Sequence, residues 1–428
     1  MNAFNPDQFD QNALQQLQRQ LRSEFETLKS AGLSLDLTRG KPSADQLSLS
    51  DSLDGILAGN YKSDSGTDTR NYGGLDGLPE AKALAAQALD VDVSDVLIGG
   101  NSSLTLMYQS ILFAYMFGLN GEASAWKNET KAKFLCPVPG YDRHFSICED
   151  FDIEMISVPM DENGPIMDEV EKLIANDTSI KGIWCVPRFS NPTGISYSDE
   201  VVDRIARLGN IASDNFRVFW DNAYAIHHIN KDAAPIKCLL QAARDAGCED
   251  SVLMFGSTSK VTFAGAGLAY MAASAKNLAA FKNHLGIASI GPDKVNQLRH
   301  VKFFGDFDGL LAHMDKHAAL LKPRFDAVLS ALNTHFGDSD ALTWTTPEGG
   351  YFVSVDTQQG LASSVVAMAA ELGVKLTPAG ATFPYGNDPE NRNIRLAPSF
   401  PTVDDITKAM EIFVLCVKLA TVNAKLAD

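Results

Sequence analysis

Lys260 is the first candidate for a catalytic residue, because it closely follows an apolar stretch of the chain. Residues 252–255 (VLMF) predict a buried strand, and GSTSK at 256–260 follows it. Open α/β sheets bind their ligands at such strand ends. Because a lysine there is costly to bury unless it is neutral, paired or covalently used, Lys260 fits a Schiff base with an aldehyde cofactor, pyridoxal phosphate. A surface lysine in an ordinary turn is the alternative.

Three side chains elsewhere in the sequence could surround a pyridine ring. Asp221 follows the apolar run VFW, and a carboxylate there can pair with a protonated ring nitrogen. Asn191, in the turn Asn-Pro-Thr-Gly, and Tyr224 could each donate a hydrogen bond to a ring phenolate oxygen. The alternatives are a helix cap for Asp221, an ordinary turn for Asn191 and a core position for Tyr224.

Other segments could bind an anion or a flat ring. GGNSS at 99–103 follows the apolar run VLI and opens a helical stretch, so it could bind a phosphate or simply cap the helix. Arg395, inside the apolar run NIRLA, needs a planar acidic partner, either a substrate carboxylate or a structural ion pair. Tyr141 could stack on a ring or lie half-buried beside its Pro-Gly turn. Tyr72 lies in a glycine-rich loop at 71–79, which ordinary loop chemistry would also explain.

The elements that would position these residues alternate between strand and helix. Between residues 71 and 271, helical stretches such as Asp199 to Ser213 separate apolar runs, which predicts a mostly parallel sheet covered on both faces. The runs are VLIGG at 96, AKFLCPVP at 132, IEMISVP at 153, GIWCVP at 182, RVFWDNAY at 217 and SVLMFGS at 251. A helical region from Lys294 to Leu332, a smaller α+β segment and a closing helix from Val403 to about Leu426 follow. An amphipathic helix from Asp10 to Ala31 is expected to pack with this C-terminal part.

Composition excludes several classes of protein. At 428 residues, with 45% hydrophobic and 21% charged side chains, two globular domains are expected. A net charge of -17 argues against non-specific binding to nucleic acid or anionic membranes. The six scattered cysteines form no Cys-x-x-Cys pair and predict reduced thiols with no metal site. The polar N-terminus lacks a signal peptide's apolar core and no stretch could span a bilayer, so a cytoplasmic location is expected.

The order of these motifs resembles a known family. Tyr-x-x-x-x-Gly, a glycine and hydroxyl helix start, Asn-Pro-Thr-Gly, Asp-x-x-Tyr, Ser-x-x-Lys and an Ile-Arg-Leu strand follow one another as in fold-type I pyridoxal-phosphate aminotransferases of the aspartate aminotransferase superfamily. The resemblance runs from about Leu37 to the C-terminus. Within the family, the chain resembles a divergent bacterial aspartate aminotransferase branch. It implies an α/β fold with a large domain, containing a mostly parallel seven-stranded sheet flanked by helices, and a smaller α+β domain. The expected domains are an N-terminal helix and segment packing with the small domain (1–54), a cofactor-binding domain (55–310) and a small C-terminal domain (311–428).

The resemblance also implies roles for individual residues. Lys260 would carry the Schiff base and shuttle a proton between the substrate Cα and the cofactor C4′, and Asp221 would pair with the ring nitrogen. The ring oxygen would be contacted by Asn191 and Tyr224, and the ring would stack on Tyr141. The phosphate would be held by Gly100, Asn101, Ser102 and Ser257, and by Tyr72 of the other subunit, which implies a homodimer with shared sites. The substrate would be bound by Arg395, Asn191, Gly40 and Arg39.

One departure from the family and one open question accompany the resemblance. The family usually has an arginine about eight residues past the lysine, but residues 263–270 read FAGAGLAY. The leading reaction is L-aspartate with 2-oxoglutarate, giving oxaloacetate and L-glutamate in ping-pong half-reactions. The alternatives are an aromatic or 2-aminoadipate-type transaminase, a pyridoxal-phosphate lyase, or a ligand-sensing regulator, which the acidic charge and the short segment before Leu33 disfavour. The candidate cations for a second substrate carboxylate are Arg39, Lys41, Arg143, Arg188 and Arg299.

Overall fold

A computed structural model describes residues 4–30, 32–337 and 339–427 of the chain. Its strands are β1 Leu35–Asp36, β2 Val96–Ile98, β3 Lys133–Val138, β4 Glu154–Asp161, β5 Gly164–Pro165, β6 Ile180–Cys185, β7 Arg217–Asp221, β8 Val252–Ser257, β9 Ala269–Ala273, β10 Leu342–Trp344, β11 Val353–Thr357, β12 Val374–Lys375 and β13 Asn393–Leu396. Its α-helices are α1 Gln11–Lys29, α2 Ala44–Ser48, α3 Pro79–Leu89, α4 Ser103–Met116, α5 Asp142–Asp150, α6 Met167–Asn176, α7 Asp199–Ala206, α8 Leu239–Asp245, α9 Ala275–Ala288, α10 Lys294–Phe304, α11 Phe307–Phe336, α12 Ala362–Glu371 and α13 Val403–Ala427.

The main sheet is mostly parallel, as the alternation of strands and helices predicts. Its strand order is β2-β9-β8-β7-β6-β3-β4-β5. The pairs β3/β4, β3/β6, β6/β7 and β7/β8 are parallel, whereas β9 runs antiparallel to both of its neighbours. Seven strands therefore form the body of the sheet, and the two-residue β5 adds an eighth position at the edge beside β4.

Both faces of this sheet are covered, which explains why its strands read as continuous apolar runs. Every residue of β6 and β7 is buried. Trp220 and Met254 belong to the core on one face, with side chains of α3, α6, α7 and α8. Phe219 and Phe255 belong to the core on the other face, with side chains of α4, α5 and α9. Neighbouring positions along one strand thus serve opposite layers.

A second core forms around the C-terminal part of the chain. The antiparallel sheet β10-β11-β13 packs with helices α11, α12 and α13. Helix α1 joins this core through buried residues such as Leu14, Leu21 and Phe25, and Gln18 Nε2 donates to Asn423 Oδ1 at 2.7 Å. The predicted helix end at Ala31 lies outside the described residues. The boundaries 1–54, 55–310 and 311–428 remain predictions.

The predicted helical region at 294–332 is confirmed but divides into two helices, and one predicted helix is shorter in the structure. The stretch from Lys294 to Leu332 is two helices, because α10 ends at Gly305 with φ 74° and Asp306 caps α11 by accepting from the Gly309 N–H at 2.8 Å. The helix predicted over 199–213 is the shorter α7, followed by a 3₁₀ turn at Leu208–Asn210. None of the helices in the described ranges has the length and apolar character that a bilayer crossing needs.

Candidate active site

Eight of the predicted site residues meet at the carboxyl-terminal edge of the main sheet, where β2, β3, β6, β7 and β8 all end. A cavity of about 320 Å³ opens there, and we call it the Lys260 cavity. The predicted residues that line it are Asn101, Ser102, Tyr141, Asn191, Asp221, Tyr224, Ser257 and Lys260. The chain therefore brings together groups that lie up to 159 positions apart in the sequence.

Lys260 lies in the turn after β8 and is half-buried in the cavity wall. Its Nζ is 4.8 Å from the centre of the Tyr224 ring. Burial lowers the pKa of Lys260 from its ordinary value, and the negative charge of Asp221 opposes that shift. Burial also raises the pKa of Tyr224 well above its ordinary value, with further contributions from Tyr141, Tyr351 and Asp221. The tyrosine hydroxyl is therefore a neutral hydrogen-bond donor beside an amine that gives up its proton more readily than usual.

Asp221 is buried at the end of β7 and uses only one of its two oxygens. His144 Nε2 lies 3.0 Å from Oδ2, and the His144 ring stacks on Trp184 with centroids 4.1 Å apart. Oδ1 is buried and has no hydrogen-bond partner among the described residues. An unpaired buried carboxylate oxygen costs free energy, so this atom calls for a donor from a bound molecule.

Hydroxyl and amide groups line the opposite end of the cavity, at the N-terminus of α4. Asn101 Nδ2 donates to the Gly265 carbonyl at 3.1 Å, and Ser259 Oγ donates to the Asn101 carbonyl at 2.9 Å. Ser257 Oγ lies 3.2 Å from Ser259 Oγ. Within the described lining, Lys260 is the single basic side chain. An anion at this end would therefore rely on hydroxyls and on the backbone N–H groups that begin a helix.

Arg395 is buried in β13 in the C-terminal part and lies outside the cavity lining, but it contacts Asn191, which is part of that lining. Its Nη1 donates to Asn191 Oδ1 at 3.1 Å and to Asp142 Oδ1 at 3.2 Å, and its guanidinium lies 4.9 Å from the centre of the Phe352 ring. Since Oδ1 of Asn191 accepts from Arg395, the amide Nδ2 remains to face a ligand. Among the described residues, Nη2 of Arg395 makes no hydrogen bond.

Comparison with known proteins shows the family to which the chain belongs. Residues 9–428 match the sequence model of a family described as aspartate amino-transferase. An aspartate aminotransferase of Corynebacterium glutamicum ATCC 13032 is 45% identical over 421 residues, which cover 98% of this chain and 97% of that one. The chain belongs to the aspartate amino-transferase family.

Solved structures agree with the family assignment. A crystal structure of an aspartate transaminase from Corynebacterium glutamicum ATCC 13032 Kitasato has a TM-score of 0.95 and 44% identity, covering 99% of this chain and 100% of that chain. An α-aminoadipate aminotransferase of Thermus thermophilus, complexed with N-(5′-phosphopyridoxyl)-L-leucine, has a TM-score of 0.72 at 20% identity and covers 92% and 93% of the two chains. The latter shows the fold alone. The predicted fold, the resemblance and the enzyme class, an aminotransferase, are confirmed.

Some predicted residues of this aminotransferase lie outside the cavity lining. Tyr72 is 78% exposed, and Arg39 is also exposed. Gly40 lies against Phe352, because a Cβ at that position would come within 2.2 Å of the ring. Gly100 adjoins the lining through Asn101, and its carbonyl accepts from the Ala269 N–H at 2.7 Å.

Two of the candidate cations are engaged elsewhere in the fold. Arg188 donates to the Ala225 and Ala233 carbonyls at 2.8 and 3.3 Å, and Arg299 donates to the Leu53 carbonyl at 3.2 Å. Neither lines the Lys260 cavity. These contacts tie each side chain to the main chain of another segment, so both arginines serve the fold of this family member.

Sequence reasoning missed His144 and Ser259. The sequence does contain a signal for His144. It follows Tyr141, the N-cap of α5, by three positions, and a spacing of three places side chains on the same face of a helix. Ser259 lies in the segment GSTSK, whose other serine was predicted to bind phosphate. The contact between His144 and Asp221 joins residues 77 positions apart, which spacing alone does not reveal.

Proposed function

We propose that this aminotransferase uses pyridoxal 5′-phosphate to transfer the amino group of L-aspartate to 2-oxoglutarate, giving oxaloacetate and L-glutamate in two half-reactions. The observation that carries the proposal is one cavity in which the Lys260 amine and the unpaired Oδ1 of Asp221 both face a ligand. The choice of L-aspartate is supported by the 45% identical relative, which is named an aspartate aminotransferase.

The described residues fit this cofactor. A protonated pyridine nitrogen would supply the donor that Asp221 Oδ1 lacks. The phosphate would be held by Gly100, Asn101 and Ser102, which lead into α4, and by Ser257 and Ser259 at and just after the end of β8. When bound, the cofactor supplies an aldehyde that a lysine amine can engage covalently and a ring that takes up electrons from the substrate.

The chain's own residues would move the proton and hold the ring. Lys260 Nζ, whose pKa burial lowers, would accept the substrate α-proton and later release it. Asp221, oriented by His144, would accept from the ring nitrogen through its unpaired Oδ1. Tyr224 and the Nδ2 of Asn191, which both line the cavity, would donate to the ring oxygen. Tyr141 lines the same cavity and would stack on the ring.

Arg395 would bind the α-carboxylate of the substrate. It already lies beside Asn191, and its contact with the half-buried Asp142 is one that an incoming carboxylate can replace. Gly40 lies under Phe352, on which the Arg395 guanidinium rests, so it would shape this end of the site. For the second carboxylate of L-aspartate, the remaining candidates are Arg39, Lys41 and Arg143, which are all exposed.

We further propose a cytoplasmic homodimer in which Tyr72 reaches the partner's cofactor phosphate. A large aromatic side chain that is 78% exposed is suited to contact a second copy. Sedimentation of the active protein tests this proposal, since a monomeric active species would refute it. Tyr72→Phe in a dimer should weaken cofactor retention without dissociating the subunits.

The visible absorption spectrum tests the proposed reaction directly. Purified protein with pyridoxal phosphate should show a yellow band that L-aspartate bleaches and 2-oxoglutarate restores. A band that ignores L-aspartate and responds to another amino acid would keep the cofactor and overturn the substrate. The absence of any band would overturn the cofactor assignment itself.

A further inference from the structure

Two successive main-chain carbonyls at the reactive lysine are held by side chains from the C-terminal part. Tyr351 Oη donates to the Lys260 carbonyl at 3.1 Å. His317 Nε2 lies 2.9 Å from the Val261 carbonyl, and His313 Nε2 lies 2.8 Å from the same oxygen. The turn that carries Lys260 is thus fixed from outside the main sheet.

One glutamine connects two of these donors. Gln46 Nε2 lies 3.0 Å from Tyr351 Oη and 3.1 Å from His317 Nδ1. Gln46 Oε1 lies 3.1 Å from the Ser43 backbone nitrogen, which can only donate, so the orientation of the amide is determined. His317 Nδ1 must therefore accept from Gln46, so Nε2 carries the ring proton, and the Val261 carbonyl at 2.9 Å is its nearer partner, with His313 Nε2 at 3.1 Å.

The bonds run in one direction, from the glutamine to the lysine turn. One N–H of Gln46 donates to Tyr351, whose hydroxyl donates to the Lys260 carbonyl, and the other donates to His317, whose ring donates to the Val261 carbonyl. Exposure is 0% for Gln46, 0% for Tyr351 and 1% for His317. Such a network is stable only when each member is satisfied, so loss of one donor disturbs the rest.

We propose that Gln46, Tyr351 and His317 form a positioning network that fixes the main chain of Lys260 and thereby sets the direction from which its amine reaches the substrate. This role rests on the proposed function, because it assumes that Lys260 moves the α-proton. A proton-transfer group gains much of its effect from orientation, and small displacements from it are costly in rate.

Tyr351→Phe is the first test, because it removes one oxygen and keeps the ring. In the holoenzyme we expect kcat to fall roughly tenfold to a hundredfold, with KM for L-aspartate changed by less than about twofold. The pKa at which the visible band of the holoenzyme changes with pH should also shift. Tyr197→Phe is the matched control, since Tyr197 is also buried, at 4% exposure, and its Oη lies 3.9 Å from Met160 Sδ, outside the network.

Two further variants separate positioning from general packing. Gln46→Glu keeps an acceptor for Ser43 and loses both donors, so it should reproduce the effect of Tyr351→Phe. His317→Gln retains an amide donor for the Val261 carbonyl, so its kcat should be higher than that of His317→Ala.

The outcomes of these tests are distinct. If Tyr351→Phe lowers only the melting temperature and leaves kcat and the band's pKa unchanged, the network is structural and the inference is overturned alone. If the unmodified protein shows no visible band with pyridoxal phosphate, the proposed function fails, and the positioning role fails with it. A band with unchanged pKa in both Tyr351→Phe and Gln46→Glu contradicts the network.

Discussion

At Lys260, burial and the charge of Asp221 act on one amine in opposite directions, and burial has the larger effect on its pKa. A lysine in this position exchanges protons near neutral pH more readily than one in water. The neighbouring Tyr224 stays neutral for the same physical reason, because burial disfavours its anion. Burial in one pocket thus disfavours the charged form of both groups.

Replacing Lys260 should abolish transamination. Lys260→Ala removes both the amine that engages an aldehyde and the base that takes the α-proton. A coupled assay for oxaloacetate should show a loss of kcat of roughly a thousandfold or more. Lys322→Ala is the control, since Lys322 is an exposed lysine paired with Asp326. Near-full turnover by Lys260→Ala would contradict the assignment.

Replacing Arg395 by lysine should weaken substrate binding while the cofactor stays bound. A point charge replaces a planar fork that contacts Asn191 and Asp142, and kcat/KM for L-aspartate should fall roughly tenfold to a hundredfold. Arg392→Lys serves as the comparison, because Arg392 lies just before β13 and pairs with the exposed Glu390. An unchanged kcat/KM in Arg395→Lys would remove Arg395 from the substrate site.

At the scale of elements, β6 and β7 position Asn191 and Asp221, because both strands are buried on both faces and end at the same edge of the sheet. Close packing across β6 depends on Gly182, where an added Cβ would come within 2.3 Å of the Phe134 ring. The sheet thus has no spare volume beneath the residues it positions.

Gly182→Ala should therefore destabilise the protein by about 1–3 kcal/mol, because overpacking a dense core forces side chains off their preferred rotamers. Urea unfolding of the apoprotein measures this change. Gly286→Ala is the control within helix α9, where the nearest atom to an added Cβ is Leu75 Cδ2 at an ordinary 3.6 Å. That variant should be neutral or slightly more stable, since alanine favours helix over glycine. Equal stability of the two variants would contradict tight packing at β6.

At the scale of the whole molecule, buried histidines link stability to pH. Burial lowers the pKa of His300 and of His317 from 6.5 to about 4. The unfolded chain therefore binds protons at a higher pH than the folded chain does. The contribution of these two histidines to the free energy of unfolding is therefore complete above about pH 6.5 and is lost as the pH falls toward about 4.

The free energy of unfolding should decrease between about pH 6.5 and pH 4. Urea titrations of the apoprotein across this range measure the slope. His300→Gln should reduce the slope, because it removes one group that the unfolded chain protonates first. A free energy of unfolding that stays constant between about pH 6.5 and pH 5 would show that these histidines do not couple folding to protons.

Local patterns predicted the parts of this molecule in which neighbouring residues decide the structure. The strands ending at Asp221 and Ser257 were predicted because an apolar run stops at a polar residue. Strand β9 (AYMAA) was not, because alanine and methionine are equally compatible with a helix. The partnership of His144 with Asp221 was missed because folding alone brings together residues that are distant in sequence.

Helix α1 packs on α13, so the first and last long helices of the chain are neighbours, and Gln18 bonds to Asn423 across 405 positions. A nascent polypeptide makes α1 long before α13, so α1 lacks this partner until α13 has left the ribosome. The amphipathic face with Leu14, Leu21 and Phe25 is exposed during that interval. Translation thus makes this apolar surface long before the helix that covers it, and chaperones have that interval in which to bind it.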